Sequence, residues 1–103
     1  MCGRYTIISP EEIEKRFKTE NNIDFEQPLF NVAPSFNLPI ITKNSPNKVS
    51  LMKWGFVPSW AKDEKLKPIN ARDDTVTTSP MFRGAIKHNR CLVPSTGFYE
   101  WKI

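Results

Sequence analysis

The stretch LPIITKNSPNKVSLMKWGFVP (residues 38–58) contains two candidate strands and the polar loop that joins them. The first strand is LPIIT. In the second, Val49 and Leu51 alternate with their neighbours, which is the period of a strand with one buried face. The loop KNSPN (43–47) supplies the Asn, Ser and Pro that favour turns. The stretch therefore predicts two strands joined by a polar loop.

Two segments that begin with Ser-Pro predict short helices. In ISPEEIEKRFK (8–18), Ser9 can cap the helix, Pro10 suits its first position and Glu12 completes a capping box. The segment SPMFRGAIK (79–87) repeats this start. Further extended segments are NVAPSFNLPIIT (31–42), RCLVP (90–94) and GFYEW (97–101). Together these elements predict an α+β fold with a β-rich core and short flanking helices.

Length and composition indicate one small domain, because 103 residues with 39% apolar side chains suffice for a modest core. The net charge of +4 permits a phosphate-binding face but is weak evidence for one. Cys2 and Cys91 form no C-x-x-C pair and no zinc spacing with His88, so we expect no metal and no cofactor. Without a signal region or a membrane-length apolar run, we expect a cytoplasmic, nucleoid-associated protein with reduced thiols. The apolar run RCLVPS predicts that Cys91 is a small buried hydrophobe.

The chain ends two residues after Trp101, in what the sequence predicts to be a strand. Nine prolines and several short strands leave a thin core for 103 residues. We therefore expect residues 1–103 to be the N-terminal portion of a single larger domain, incomplete at its C-terminus.

The first segment that can carry chemistry is Met1-Cys2-Gly3-Arg4. If Met1 is removed, the free amine and the thiol of Cys2 can close a five-membered ring with an aldehyde. A reference α-amine has a pKa of roughly 7.7–8.0, so a useful fraction is neutral and nucleophilic at physiological pH. Gly3 lets a substrate approach the backbone, and Arg4 can hold a phosphate. From this segment alone, an ordinary chain start is the favoured interpretation.

The second segment is PINARDDTV (68–76). If it is extended, Asn70 and Arg72 point to the same side, where Asn70 can orient a hydroxyl or amide and Arg72 can bind phosphate. The alternative is a polar loop in which Arg72 pairs with Asp73 or Asp74. The local sequence favours that alternative.

The third segment is GFYEW, in which Glu100 lies between Tyr99 and Trp101. If this run is buried, the carboxylate suits general acid–base work. A glutamate on the solvent face of an edge strand is an equally good interpretation.

The fourth segment, MKWGFVPSWAK (52–62), interleaves aromatic residues with lysines. Aromatic rings can stack bases of single-stranded nucleic acid, while nearby cations hold its backbone. The alternative is that the tryptophans belong to the core. We expect Trp54 in the core, and Trp60 is the better surface candidate.

The order of these segments is more specific than any one of them. Met-Cys-Gly-Arg, NVAPS, MKWGFVPSWAKD, INARDDTV and FRGAIKHNRCLVPSTGFYEWK follow one another over essentially the whole chain. The series closely resembles the SOS response-associated peptidase family, whose members shield abasic sites in single-stranded DNA. The resemblance implies that Cys2, after loss of Met1, cross-links to the aldehyde of the ring-opened deoxyribose as a thiazolidine. It also implies single-stranded DNA containing abasic sites as the partner, and we expect the protein to be a monomer.

The resemblance assigns a chemical role to three residues. Cys2 matches the nucleophile. Asn70 matches an asparagine that positions the sugar and the reacting amine, and Glu100 matches an acid–base carboxylate that assists ring opening and imine formation.

The resemblance also implies a DNA-binding surface within a compact α+β unit with a positively charged groove. Arg4 and Arg72 match arginines that grip DNA phosphates. Pro34 and the segment 54–60, with Trp60, resemble parts of the DNA-facing surface.

The chain departs from the family in two respects. Members continue well beyond this point and carry a histidine in a His-x-Arg-Met-Pro-like motif. The sequence also begins with Met1, and Cys2 cannot form the ring while its nitrogen is an amide. Two alternative functions therefore stay open. One is a cysteine-type peptidase, acting on itself or on other chains, with Cys2 as the nucleophile. The other is a single-stranded DNA-binding remnant without catalysis.

Overall fold

The computed structural model describes residues 2–20, 25, 27–62 and 68–102. Its elements in chain order are β1 (Tyr5–Ile7), α1 (Glu12–Phe17), β2 (Leu29–Val32), β3 (Asn37–Thr42), β4 (Ser50–Lys53), α2 (Arg83–His88), β5 (Cys91–Leu92) and β6 (Gly97–Phe98). The strands form two antiparallel three-stranded sheets with the orders β2-β1-β6 and β4-β3-β5. The predicted α+β fold with a β-rich core is confirmed.

The segment 38–58 forms the predicted pair of strands. β3 and β4 are antiparallel, with a register that runs from Asn37 opposite Lys53 to Ile40 opposite Ser50. The second strand is shorter than predicted and ends at Lys53. Shortly beyond that end, Gly55 has a φ of 145°, a backbone conformation that L side chains rarely adopt.

The N-terminal strand β1 was not anticipated from the sequence, and β2 was predicted only as part of one extended segment over 31–42. A turn divides that segment, in which Phe36 N–H donates to Ala33 O at 3.3 Å and Ser35 has a φ of 76°. The three residues of β1 are all buried, including the polar Thr6, so burial does not alternate along the strand as it does when one face meets solvent.

The predicted capping of the first helix is wrong. α1 begins at Glu12, its N-cap residue is Glu11, and no side chain caps it. Ser9 instead belongs to a preceding turn, in which its carbonyl oxygen accepts from Glu12 N–H at 3.0 Å. A similar turn precedes α2, where Ser79 Oγ accepts from Met81 N–H at 3.3 Å. The Ser-Pro pairs therefore initiate turns, and the regular helices start three to four residues later.

The buried core joins both sheets to α1. It comprises Tyr5, Ile7, Ile13, Val32, Leu38, Ile41 and Val49, with Phe17, Phe25, Leu29 and Trp54 packed against it. Trp54, which was expected in the core, is half-buried and packs against it, whereas the prediction for Cys91 is wrong. Cys91 is exposed in β5, although partial desolvation by its surroundings raises the pKa of its thiol. No helix in the described part of the chain is long and apolar enough to cross a membrane.

Candidate active site

The N-terminal cysteine and the asparagine of the N-A-R segment are in contact. Asn70 Nδ2–H donates a hydrogen bond to the backbone oxygen of Cys2 at 2.9 Å, in a half-buried setting. The Cys2 side chain is itself half-buried, and its sulfur lies 3.7 Å from Arg4 O in a weak hydrogen bond. The fold therefore joins two segments that lie 68 residues apart in sequence.

The segment before Asn70 is fixed by the chain that follows β4. Phe56 N–H donates to Pro68 O at 3.1 Å, and the indole Nε1–H of Trp54 donates to Ile69 O at 3.4 Å. These two bonds satisfy carbonyl groups directly preceding Asn70, so the asparagine is positioned by its backbone as well as by its side chain.

Tyr5 packs against Trp54, whose indole bonds the carbonyl before Asn70. Its side chain is 6% exposed, and its ring centroid lies 5.5 Å from that of Trp54. Among the residues described, the structure shows no hydrogen-bond partner for the buried phenol oxygen. Burial raises the pKa of Tyr5 to about 12, and the nearby charge of Cys2 adds to that effect. The phenol therefore stays protonated at neutral pH.

The pairing of β6 with β1 brings Glu100 towards the N-terminus. Tyr5 pairs with Phe98, and Tyr99 N–H donates to Arg4 O at 3.0 Å. Glu100 follows Tyr99 directly in the chain.

Of the two interpretations that the sequence leaves open for Glu100, the structure shows the exposed one. Within the described residues β6 is an edge strand, and Glu100 is exposed together with Phe98 (67% exposed), Tyr99 (53%) and Trp101 (96%). The exposure agrees with the alternative of a glutamate at the edge of a sheet, because an edge strand has a neighbouring strand on one side only. The acid–base role of Glu100 stays a prediction.

The two candidate phosphate-binding arginines are both exposed, but their settings differ. Arg4 Nη1–H donates to Gly3 O at 2.8 Å. Arg72 forms a two-bond ion pair with Asp74, with Nε–Oδ1 at 3.0 Å and Nη2–Oδ2 at 2.8 Å. This hydrogen-bonded pair holds the pKa of Arg72 above its ordinary value and that of Asp74 below its own. The alternative of an Arg72–Asp pair is therefore the observed arrangement in the free protein.

Two further candidates for the DNA-facing surface are Trp60, which follows β4, and Pro34, which precedes β3. Trp60 is 61% exposed, as expected of the surface candidate, and its Nε1–H donates to Pro80 O at 3.3 Å. Pro34 is half-buried in the turn before β3, where the next residue, Ser35, donates its N–H to Trp54 O at 2.8 Å. Trp60 is thus tied to the turn before α2, whereas the residue after Pro34 is tied to the chain that follows β4.

Sequence reasoning missed Tyr5. The signal available was its position in an extended N-terminal segment, directly after Arg4. Its burial depends on strands β2 and β6 on either side of β1 and on Trp54 against its ring.

The family model for SOS response associated peptidase (SRAP) matches residues 1–103. The chain belongs to the SOS response-associated peptidase family. It is 44% identical over 108 residues to abasic site processing protein YoaM of Bacillus subtilis (strain 168), covering 99% of this chain and 48% of that protein. It is 28% identical over 131 residues to abasic site processing protein HMCES of Xenopus tropicalis, covering 99% of this chain and 39% of that protein. This SRAP chain therefore spans about half the length of its bacterial relative.

Proposed function

We propose that this chain processes abasic sites by trapping them covalently in single-stranded DNA. Cys2, made N-terminal by removal of Met1, reacts with the aldehyde of the ring-opened deoxyribose and forms a thiazolidine. The relatives named above as abasic site processing proteins support the DNA lesion as the target.

The reaction needs only the amine and the thiol of Cys2. The amine adds to the aldehyde carbon, the carbonyl oxygen leaves as water, and an imine remains. The thiol then adds to the imine carbon, a C–S bond forms, and the thiol proton passes to the ring nitrogen. One water is lost overall, and nothing is oxidised or reduced.

The hydrogen bond from Asn70 to Cys2 O is the observation that carries the proposal. A nucleophile at a chain end is ordinarily mobile, and holding it in place lowers the entropic part of the barrier. Here the half-buried Asn70 amide fixes the carbonyl of the residue whose amine and thiol must both reach one carbon atom. Glu100 directly follows Tyr99, whose N–H donates to Arg4 O, and its carboxylate is suited to supplying and accepting protons while the aldehyde oxygen leaves.

Exposed cations and aromatic rings favour a nucleic-acid partner over a peptide substrate. Arg4 adjoins the reacting residue, and Arg72 lies two positions after Asn70. The Arg72–Asp74 pair is solvent-exposed, with 74% and 55% of the two side chains accessible, and such pairs contribute little stability. A DNA phosphate can therefore replace Asp74 as the partner of Arg72. Trp60 offers an exposed ring on which a base can stack.

Intact-protein mass spectrometry tests the proposal. The purified protein is mixed with a single-stranded oligonucleotide containing one abasic site. We expect a starting mass without Met1, followed by an increase equal to the mass of the DNA less one water. Cys2→Ala abolishes the product, whereas Cys91→Ala, which removes the other thiol, leaves it intact.

Two further oligonucleotides serve as controls for binding without reaction. An oligonucleotide with a tetrahydrofuran residue has no aldehyde and should bind without reacting, and an undamaged strand serves as the second control. A product that persists in Cys2→Ala contradicts the proposal. Loss of Met1 without an adduct, together with cleavage of added peptides, favours the peptidase alternative. Salt-sensitive binding to every strand without an adduct favours the DNA-binding remnant.

A further inference from the structure

The pairing that brings the segment with Glu100 to the N-terminal strand is very short. β6 contains two residues, whereas a strand usually contains about five or six. Register is ordinarily fixed by burial of one face of a strand, but Phe98 in β6 is 67% exposed. Backbone pairing and apolar burial therefore specify the register of β6 on β1 only weakly.

The hydroxyl group of Thr96, directly before β6, bonds across this pairing to β1 and to the residue after it. Its Oγ1 lies 2.7 Å from Thr6 Oγ1, donates to Thr6 O at 3.1 Å and accepts from Ile8 N–H at 3.1 Å. A hydroxyl has one donor and two acceptor positions. One arrangement uses all three: Thr96 O–H donates to Thr6 O, while Thr6 O–H and Ile8 N–H donate to Thr96 Oγ1.

These bonds favour one register of the two strands. The backbone N–H of Thr96 also donates to Thr6 O, at 2.9 Å, so both its main chain and its side chain face Thr6. A slip by one residue would turn the Thr96 side chain to the other face of the sheet. The Thr6 hydroxyl, in a residue that is 7% exposed, would then lose this partner, which is unfavourable for a buried polar group.

The register decides which residues of the two segments meet. In the observed register Tyr99 N–H donates to Arg4 O at 3.0 Å. Glu100 directly follows Tyr99, and Cys2 lies two positions before Arg4. The two residues proposed to carry proton transfer and nucleophilic attack therefore lie in segments joined next to the bonds of Thr96.

We propose that Thr96 is a positioning residue, whose hydroxyl fixes the register of β6 on β1 and thereby holds the segment with Glu100 beside the segment with Cys2. The consequence for cross-linking rests on the proposed function. The control of the register does not depend on it.

The first test measures native-state hydrogen exchange by NMR, without DNA. Thr96→Val keeps the shape of the side chain and removes its hydroxyl, whereas Thr96→Ser keeps the hydroxyl. We expect the Tyr99 amide to exchange about tenfold faster in Thr96→Val and at close to the wild-type rate in Thr96→Ser. The amides of the β3–β4 pair, in the other sheet, should exchange at unchanged rates in both variants.

Thr78→Val is the matched control. It makes the same substitution at a threonine whose hydroxyl donates to Thr75 O at 3.3 Å, and it should leave exchange at Tyr99 unchanged. Equal exchange at Tyr99 in wild type and Thr96→Val overturns the proposal. Equally faster exchange of the β3–β4 amides also overturns it, because the hydroxyl would then support the whole fold and not the register of β6.

The second test is a double-mutant cycle on abasic DNA. Thr96→Val should slow cross-linking at saturating DNA about fivefold, with an unchanged Kd for the tetrahydrofuran strand, and Thr96→Ser should restore the rate. In the Glu100→Gln background, Thr96→Val should cause no further loss, because no carboxylate remains to be positioned.

The cycle separates positioning of Glu100 from a general loss of structure. A loss of the same size in both backgrounds, or an unchanged rate in Thr96→Val, overturns the role in cross-linking. If the wild type itself forms no cross-link, the proposed function fails, and the exchange rates still decide whether Thr96 fixes the register.

Discussion

Replacing Asn70 by alanine removes the amide that donates to Cys2 O at 2.9 Å, and leaves the hydrogen bonds to the two preceding carbonyl groups in place. Phe56 N–H still holds Pro68 O, and the Trp54 indole still holds Ile69 O. The substitution therefore isolates one contact between the N-terminus and the rest of the fold. It also removes the group that the family resemblance assigns to the sugar and the amine.

The expected magnitude follows from the setting of this bond. A hydrogen bond inside a protein contributes about 0.5–1.5 kcal/mol net. Because the Asn70–Cys2 bond is only half-buried, water can partly replace the lost donor. If the bond serves the transition state in full, its loss slows cross-linking by about two- to twelvefold. Global stability should change little, because the bond anchors a terminal segment and not the core.

Single-turnover kinetics on abasic DNA measure this effect. Adduct formation is followed on denaturing gels at saturating DNA, so that the rate reports the reaction and not binding. Thermal unfolding of the same samples confirms that the variant is folded. Asn44→Ala, an exposed asparagine in the loop between β3 and β4, is the matched control and should react at the wild-type rate. An unchanged rate in Asn70→Ala would refute the view that this contact prepares Cys2 for reaction.

Three further outcomes are expected. Asp74→Asn should tighten binding to single-stranded DNA and steepen its salt dependence, because it frees Arg72 for a phosphate; filter binding at several salt concentrations measures this. Ile7→Ala should lower the free energy of unfolding by about 2–5 kcal/mol, since Ile7 is 1% exposed in the core, and urea titration measures it. As pH rises from about 10 to about 12, wild-type stability should fall more than that of Tyr5→Phe, because the pKa of Tyr5 is raised to about 12 in the fold and only the unfolded chain ionises readily in that window.

Each of these outcomes has a control in the chain. Asp73→Asn changes the net charge equally and should tighten binding less than Asp74→Asn; equal gains would mean that the ion pair is irrelevant. Ile8→Ala, at a position 48% exposed, should cost less than about 0.5 kcal/mol, and a cost equal to that at Ile7 would contradict the assigned burial of β1. Parallel alkaline unfolding curves for wild type and Tyr5→Phe would show that burial of the phenol does not govern stability there.

The strand pair at 38–58 was predictable because its determinants are local. Alternating apolar residues and a polar turn lie within 21 consecutive positions, and β3 and β4 pair as that pattern requires. The packing of Trp54 against the core and the exposure of Trp60 were likewise predictable, because Trp54 lies before Pro58 and Trp60 lies after it.

The helix start and the environments of Cys91 and Glu100 were not predictable in this way. Ser9 carries a capping signal, yet the chain there forms a turn and the helix starts at Glu12. Apolar neighbours along the chain indicated burial for Cys91 and left the environment of Glu100 open. Burial depends instead on what packs across a strand, and both residues are exposed in this structure.

The sequence by itself thus determined the class of fold, the family and the residues able to carry the chemistry, because each is written in residue types and short spacings. The tertiary structure decided which of those residues meet. β1 pairs with β6 across more than 90 positions, and the Asn70 amide reaches Cys2 across 68. Such contacts have no local signal, since they arise only when Trp54 packs on Tyr5 and the segment before Asn70 binds the chain after β4.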